Sequence, residues 1–102
     1  MIAVIFEVEV HAERREEYLA TAAALADDLR RMDGFLSIER FASLADPERL
    51  LSLSYWRDGA AIAAWRDHPP HLAAQARGKT VLFRDWRIRV AHVVRETGHD
   101  AG

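Results

Sequence analysis

The sequence contains no cysteine, no clear excess of one charge sign, no glycine-rich phosphate loop and no long apolar run. The lack of cysteine excludes disulfides, thiolate nucleophiles, cysteine-ligated zinc and iron–sulfur clusters. Fourteen basic and sixteen acidic side chains leave a formal net charge of -2. A chain with this charge balance has no basic track for nucleic acid or an anionic membrane surface, so we expect an uncharged or weakly acidic ligand.

Short apolar runs and a strand-like start without a basic segment predict a cytoplasmic protein with no membrane span. The missing glycine-rich loop leaves no motif for NAD, Rossmann-bound flavin or ATP. Half of the 102 residues are hydrophobic, which is more apolar surface than a two-layer domain of this length easily hides. We therefore predict a homodimer, in which a second copy covers part of that surface.

Hydrophobic periodicity predicts the element order β-α-β-β-α-β, in which two short helices form the second α unit. The predicted strands are residues 2–10, 35–44, 50–56 and 81–95. The predicted helices are residues 13–31, a short helix capped by Asp58 that runs through Trp65, and a second short helix from Pro70 to Gly78. This order is typical of an α+β, ferredoxin-like antiparallel sheet with the helices on one face. We assign residues 1–96 to one domain and residues 97–102 to a flexible tail.

Strands one and four are neighbours in a sheet of this kind. Glu7 and Glu9 of strand one then share a face with Arg87 and Arg89 of strand four, on the side away from the helices. Opposite charges on adjacent strands stabilise the pairing. This charged face is either solvated or lies where two sheets meet.

His71 is the strongest candidate for a proton-transfer residue. It falls near the second position of the helix that begins at Pro70, where free backbone N–H groups and the helix dipole disfavour imidazolium. A histidine held neutral there can accept a proton. The alternative is a surface histidine beside a helix start, and His68 is more typical of a loop side chain.

A metal site built from Asp67, His68 and His71 is not expected. Pro69-Pro70 separates the two histidines and prevents the one-face i, i+4 geometry that helical histidine pairs use to bind a metal.

Aromatic side chains could line a cavity between the helices and the sheet. Trp56 and Trp65 could form its walls, or each could be an ordinary core residue. Trp86 and His92 are predicted to point the same way from strand four, and Tyr55 could donate a hydrogen bond. Ser52 and Ser54 lack the G-x-S-x-G context of a nucleophile.

The chain resembles the antibiotic biosynthesis monooxygenase domain family over about residues 2–95. The resemblance rests on the element order together with five segments: Gly34-Phe35, the strand ending Leu51-Ser52-Leu53-Ser54-Tyr55-Trp56, the W-x8-W step to Trp65, His71-Leu72-Ala73-Ala74-Gln75, and Arg89-Val90 with Val93 and Arg95.

The resemblance implies a dimeric α+β barrel made of two ferredoxin-like units joined sheet to sheet. It also implies cofactor-independent oxygenation of an electron-rich aromatic, such as a quinol or an anthrone-like compound. In that interpretation His71 is the base, and the substrate is bound by Trp56, Trp65, Tyr55, Trp86, His92 and Gln75.

Two alternatives remain open. In the haem-degrading branch of the family, the resemblance calls for an asparagine on strand one, the tryptophan of the second helix and a histidine ten residues further on. Here Trp65 matches the tryptophan, but Phe6 and Gln75 occupy the other two positions, and His71 lies one helical turn earlier. Haem binding or degradation is therefore one alternative. A non-catalytic dimer that binds a small hydrophobic molecule is the other.

Overall fold

A computed structural model describes residues 1–99 of the chain. The strands are β1 (Ile2–Val10), β2 (Phe35–Ala42), β3 (Arg49–Trp56) and β4 (Phe83–His92). The helices are α1 (Arg15–Arg30), α2 (Gly59–Arg66) and α3 (Pro69–Arg77), with a 3-10 turn at Ala12–Arg14 and a π-helical turn at Gly78–Leu82. Residues 93–99 have no regular secondary structure, and the rest of the predicted tail, residues 100–102, lies outside the described part of the chain.

The four strands form one antiparallel sheet in the order β2-β3-β1-β4. This order confirms the ferredoxin-like prediction, including the pairing of the first and last strands. β1 is bonded on both sides, to β3 and to β4, so the strand with the most regular alternation lies in the middle of the sheet. None of the helices within residues 1–99 is long and apolar enough to cross a bilayer.

Local signals account for the ends of the helices. The carboxylate of Asp58 accepts a hydrogen bond from the backbone N–H of Ala61 at 3.0 Å, which confirms the predicted N-cap of α2. Pro69 and Pro70 occupy the first two positions of α3, one residue earlier than predicted. Proline is tolerated there because the first N–H groups of a helix have no partner within the helix.

The predicted last strand was too long at both ends. Alternation predicts a strand from Val81, but Val81 and Leu82 belong to the π-helical turn, where Leu82 enters the core. A Cβ at Gly78 would lie 2.5 Å from the ring of Phe83, so glycine permits this close approach. Strand two likewise ends at Ala42, because the hydroxyl of Ser43 accepts hydrogen bonds from two following backbone N–H groups and turns the chain.

The buried core consists of two separate clusters on the helix-facing side of the sheet. The Tyr18 cluster contains Val8, Val10, Tyr18, Leu50 and Leu82. The Trp56 cluster contains Leu29, Trp56 and Ala61, with Trp65 among the residues packed against it. A small domain usually has one contiguous core. Here the two buried clusters are separate, and we call the region of the sheet between them the gap in the core.

The opposite side of the sheet, which we call the open face, is charged. Glu7 lies directly opposite Arg87 and forms an ion pair with Arg89 at 3.1 Å, as predicted. Glu9 instead pairs with Arg49 of β3 at 2.6 Å and with Arg84 at 3.5 Å. The charges therefore link three strands, although exposed pairs of this kind contribute only about 0–1 kcal/mol each.

We predict that Gly34→Ala destabilises the fold by about 1–3 kcal/mol, because Gly34 has a φ of 86° that L residues rarely adopt. An added Cβ would also lie 2.6 Å from the Cβ of Ala61. Gly59→Ala is the matched control, since it begins α2 and has no atom within 4 Å of the added Cβ. Urea unfolding measures both changes, and equal stability of the two variants would contradict this account.

Candidate functional site

The indole ring of Trp65 joins the two short helices. It stacks on the imidazole of His71, with 4.7 Å between ring centres, and on that of His68, with 5.4 Å between centres. Trp65 also packs against the Trp56 cluster. His68 and His71, which flank the Pro69-Pro70 pair, therefore both stack on the indole of Trp65. This indole packs against the core.

His71 and Gln75 form the polar part of the site. They are four residues apart on α3, and the side-chain Nε2 of Gln75 lies 3.4 Å from Nε2 of His71. With the side-chain amide nitrogen of Gln75 turned toward the ring, the amide donates and Nε2 accepts, and in this tautomer the proton of the neutral imidazole is on Nδ1. Nδ1 of His71 and Oε1 of Gln75 are buried without a hydrogen-bond partner.

Burial lowers the pKa of His71 below its ordinary value of 6.5. The backbone carbonyl groups of Arg66 and Trp65 favour the protonated ring and oppose this shift, but without an acceptor in good geometry for Nδ1 they do not reverse it. The imidazole is therefore neutral at pH 7. A neutral, partly desolvated imidazole is suited to accept a proton from a ligand.

His68 contacts a carboxylate that lies 40 residues away in the sequence, which local sequence patterns do not predict. Its Nε2 lies 3.1 Å from Oδ2 of Asp28 on α1, and the other oxygen of Asp28 binds Arg31 at 2.5 Å. One feature of the sequence does point to this contact. Asp28 is an acidic residue in the last turns of a helix, where the helix dipole favours cations, so a positively charged or N–H-donating partner is expected beside it. The Asp28–His68 contact ties α1 to the junction of α2 and α3.

Two buried serines lie between the core clusters. Ser52 and Ser54 of β3 both face the helices, and the hydroxyl of Ser54 accepts a hydrogen bond from the indole N–H of Trp56 at 2.9 Å. Because residues i and i+2 of a strand share a face, these serines separate Leu50 of one cluster from Trp56 of the other. The gap in the core therefore follows from polar side chains at its centre.

The structure places the other predicted residues away from this cluster. Tyr55 lies opposite Ala3 and Ser37 on the open face, because neighbouring strand residues point to opposite sides. Trp86 and His92 are on the helix-facing side, but β4 is an edge strand and both side chains are exposed. Lys79 covers Trp86, with its ammonium 4.4 Å from the ring centre.

Two surface hollows, of about 450 and 170 Å³, lie on the open face and share Glu7 and Arg49 in their linings. Both are on the side of the sheet opposite His71, so they are not extensions of the Trp65–His71–Gln75 cluster. Within residues 1–99 no group of three histidine or acidic side chains has metal-binding geometry.

Comparisons with known proteins identify the family. A family model described as antibiotic biosynthesis monooxygenase matches residues 1–77. A jasmonate monooxygenase of Pyricularia oryzae is 38% identical over 91% of this chain and 43% of its own length. An uncharacterized Bacillus subtilis protein, YqjZ, is 36% identical over 92% of this chain and 80% of its own length. The chain thus spans less than half of the first relative and most of the second.

Solved structures with lower identity show the same fold. A Deinococcus radiodurans protein with the same family description superposes with a TM-score of 0.87 at 18% identity, covering 99% of this chain and all of that one. A Mycobacterium tuberculosis protein superposes with a TM-score of 0.84 at 23% identity, covering 95% and 98% of the two chains.

We predict that acidification destabilises the wild-type fold more than the His71→Gln variant. Because burial holds the pKa of His71 below 6.5, the unfolded chain binds a proton first as the pH falls, and this favours unfolding. The stability contributed by neutral His71 is therefore complete above pH 6.5 and is lost as the pH falls toward the lowered pKa.

Urea unfolding at pH 8 and pH 5, at one fixed protein concentration, measures this difference. His99→Gln is the control, since His99 is exposed and should behave as the wild type does. An equal loss of stability in the wild type and His71→Gln would show that His71 does not resist protonation in the fold.

Proposed function

Because the chain belongs to the antibiotic biosynthesis monooxygenase family, we propose that it is a small monooxygenase acting on an electron-rich aromatic, such as a quinol or an anthrone-like compound. The single observation that carries this proposal is the pair of buried polar atoms without partners on His71 and Gln75. Buried polar atoms in folded proteins are nearly always hydrogen-bonded. Two adjacent exceptions beside a tryptophan face support a site that a flat, polar-edged ligand completes.

An anthrone-like substrate illustrates the chemistry. Nε2 of His71 removes a proton from the ring methylene, and the resulting carbanion, stabilised as a phenolate-like anion, transfers one electron to O2. The carbon radical and superoxide combine to form a C–O bond, and the imidazolium returns its proton to the peroxide. Loss of water then leaves a carbonyl group. The methylene has been oxidised by four electrons, O2 has accepted them, and one oxygen atom appears in the product and the other in water.

The three side chains have different roles in this proposal. Trp65 fixes the plane of the imidazole by stacking on His71, and its indole gives the site an apolar wall. The amide of Gln75 contacts Nε2 at the long distance of 3.4 Å, so a substrate can replace this weak donor. Oε1 of Gln75 can then accept a hydrogen bond from a substrate hydroxyl.

We propose that the reaction needs no bound cofactor, since the substrate anion itself reduces O2. The alternative of haem has less support from the residues present. Gln75 and Phe6 occupy the positions where the haem-degrading branch has histidine and asparagine.

We also propose that the protein is a homodimer assembled through the open face. This face carries the charge links among β1, β3 and β4, together with the two hollows and the partly exposed side chains of Leu51, Leu53 and Tyr55. Phe41 of β2 is also exposed on this side. Apolar side chains that lie between ion pairs are better covered by the same face of a second copy of the chain than exposed to water.

We predict oxygen consumption when the protein is mixed with an anthrone such as 1,8-dihydroxyanthrone, above the rate without protein. His71→Gln should reduce kcat/KM by about 100-fold or more, the usual effect of losing a general base. The wild-type rate should rise with pH through the lowered pKa of His71 and then level off, because the base must be unprotonated.

His99→Gln, an exposed histidine variant, should keep the wild-type rate and pH profile. Oxygen uptake that is absent for a panel of anthrones and hydroquinones would contradict the monooxygenase proposal and favour a ligand-binding protein. Uptake that persists unchanged in His71→Gln would contradict the assignment of the base.

We predict that sedimentation at micromolar concentration gives about twice the 11.6 kDa mass of one chain. Leu53→Lys should shift the protein toward monomer, because Leu53 lies on the open face opposite Ile5. Leu44→Lys is the matched control, since Leu44 is fully exposed in the turn between β2 and β3. A wild-type monomer, or an equal effect of the two substitutions, would refute this interface.

A further inference from the structure

Arg40 is the one cationic side chain that the described strands place on the helix-facing side of the sheet. It lies directly opposite Ser52, which is directly opposite Phe6, and both of these face the helices. The arginines of the sheet at positions 49, 84 and 89 form ion pairs on the open face. Within residues 1–99 no carboxylate lies within 4.0 Å of the Arg40 side chain. A guanidinium is therefore present, without a partner of opposite charge, on the side of the sheet that holds the candidate site.

Arg40, Ser52 and Phe6 lie side by side across β2, β3 and β1, and we call such a set of directly opposite residues a row. The row that ends in Arg40 lies between the two core clusters. The next row along the sheet in one direction ends in Ala42 and contains Leu50 of the Tyr18 cluster. The next row in the other direction ends in Ile38, which packs against the Trp56 cluster. Such rows are about 7 Å apart, since a strand rises about 3.4 Å per residue. Arg40 is thus at the β2 edge of the gap in the core, and its side chain is exposed there.

Hydroxyl groups accompany Arg40 at this position. Ser52 is buried beside it, and Tyr18 on α1 is also buried. Burial raises the pKa of Tyr18, whereas the nearby charge of Arg40 lowers it, so the phenol is protonated and can donate a hydrogen bond. A guanidinium with two neighbouring hydroxyls is a donor set that matches a carboxylate.

We propose that Arg40 forms an anion subsite, in which it binds a carboxylate carried by the substrate while the aromatic ring lies toward Trp65. The inference rests on the proposed function and deepens it, because it adds a carboxylate to the substrate class. Tyr18 and Ser52 assist Arg40 as neutral donors. A bidentate guanidinium–carboxylate contact also sets the direction in which the ring enters the gap.

The test uses a matched pair of probes, 1,4-dihydroxy-2-naphthoate and its methyl ester, which differ in the charge of one group. Binding is measured by titration calorimetry under nitrogen, so that no turnover occurs. The wild type should bind the acid about 10-fold or more tightly than the ester, as expected for a charge-assisted contact. Arg40→Gln should remove this preference. Arg40→Lys should keep part of it, because it retains the charge without the bidentate geometry.

Arg30→Gln is the control, since Arg30 lies on the exposed side of α1 and pairs with Asp27. It should retain the full preference for the acid. The proposal is overturned if the wild type binds both probes equally or binds neither, if Arg40→Gln keeps the preference, or if Arg30→Gln loses it to the same extent. Should Arg40→Gln fold poorly, Arg40→Lys replaces it in the test. A partly reduced preference for the acid in this variant supports the subsite, and an undiminished preference contradicts it.

Oxygen uptake with the same two probes separates this inference from the proposed function. A preference for the acid without uptake from any aromatic probe would support the subsite and contradict the monooxygenase proposal. Equal uptake and equal binding of the acid and the ester would support the monooxygenase and overturn the subsite.

Discussion

The contact between the rings of Trp65 and His71 is the interaction on which the candidate site depends. α3 buries none of its own residues fully, so it cannot hold its place through an apolar face of its own. It contacts the rest of the domain through this stacking contact at one end and through the ion pair between Arg77 and Glu17 of α1 at the other, where the chain continues into the turn that buries Gly78 and Leu82. Because Trp65 also packs on the Trp56 cluster, the position of His71 is tied to the core of the sheet.

The core of the domain is divided, and polar atoms are buried at two places on the helix-facing side of the sheet. A continuous apolar core over Ser52 and Ser54 would stabilise the domain further, since each fully buried aliphatic side chain contributes about 1.5–3 kcal/mol. The chain instead keeps two hydroxyls at the centre of its helix-facing side and leaves polar atoms of His71 and Gln75 buried without partners. Sites that bind ligands commonly give up stability in this way.

The sequence predicts the sheet and helices well because their signals are local. Alternation, Asp58 as a cap and Pro69-Pro70 at a helix start depend only on neighbouring residues, and the structure agrees within one or two residues at most boundaries. The π-helical turn was missed because it depends on the packing of Gly78 against Phe83. Alternation also separates Tyr55 from Trp56, so the placement of Tyr55 on the open face was available from the sequence.

The site itself was only partly predictable, because its contacts join distant parts of the chain. His71 and Trp65 were found from a helix start and an aromatic pattern. Asp28 and His68 are 40 residues apart, and the position of Arg40 between two core clusters depends on the register of three strands.

The same distinction separates the residues that maintain the fold from those that would select a substrate in the proposed function. The sheet and its helices are maintained by the backbone ladder and by residues of the two core clusters. The positions that would contact a substrate, such as Phe6, Arg40 and Gln75, lie outside the buried members of those clusters. They can change without disturbing strand pairing, since a side chain on one face takes no part in the backbone hydrogen bonds of the sheet. In the proposed function, the fold sets where the substrate lies, whereas a few side chains around the gap decide which substrate fits.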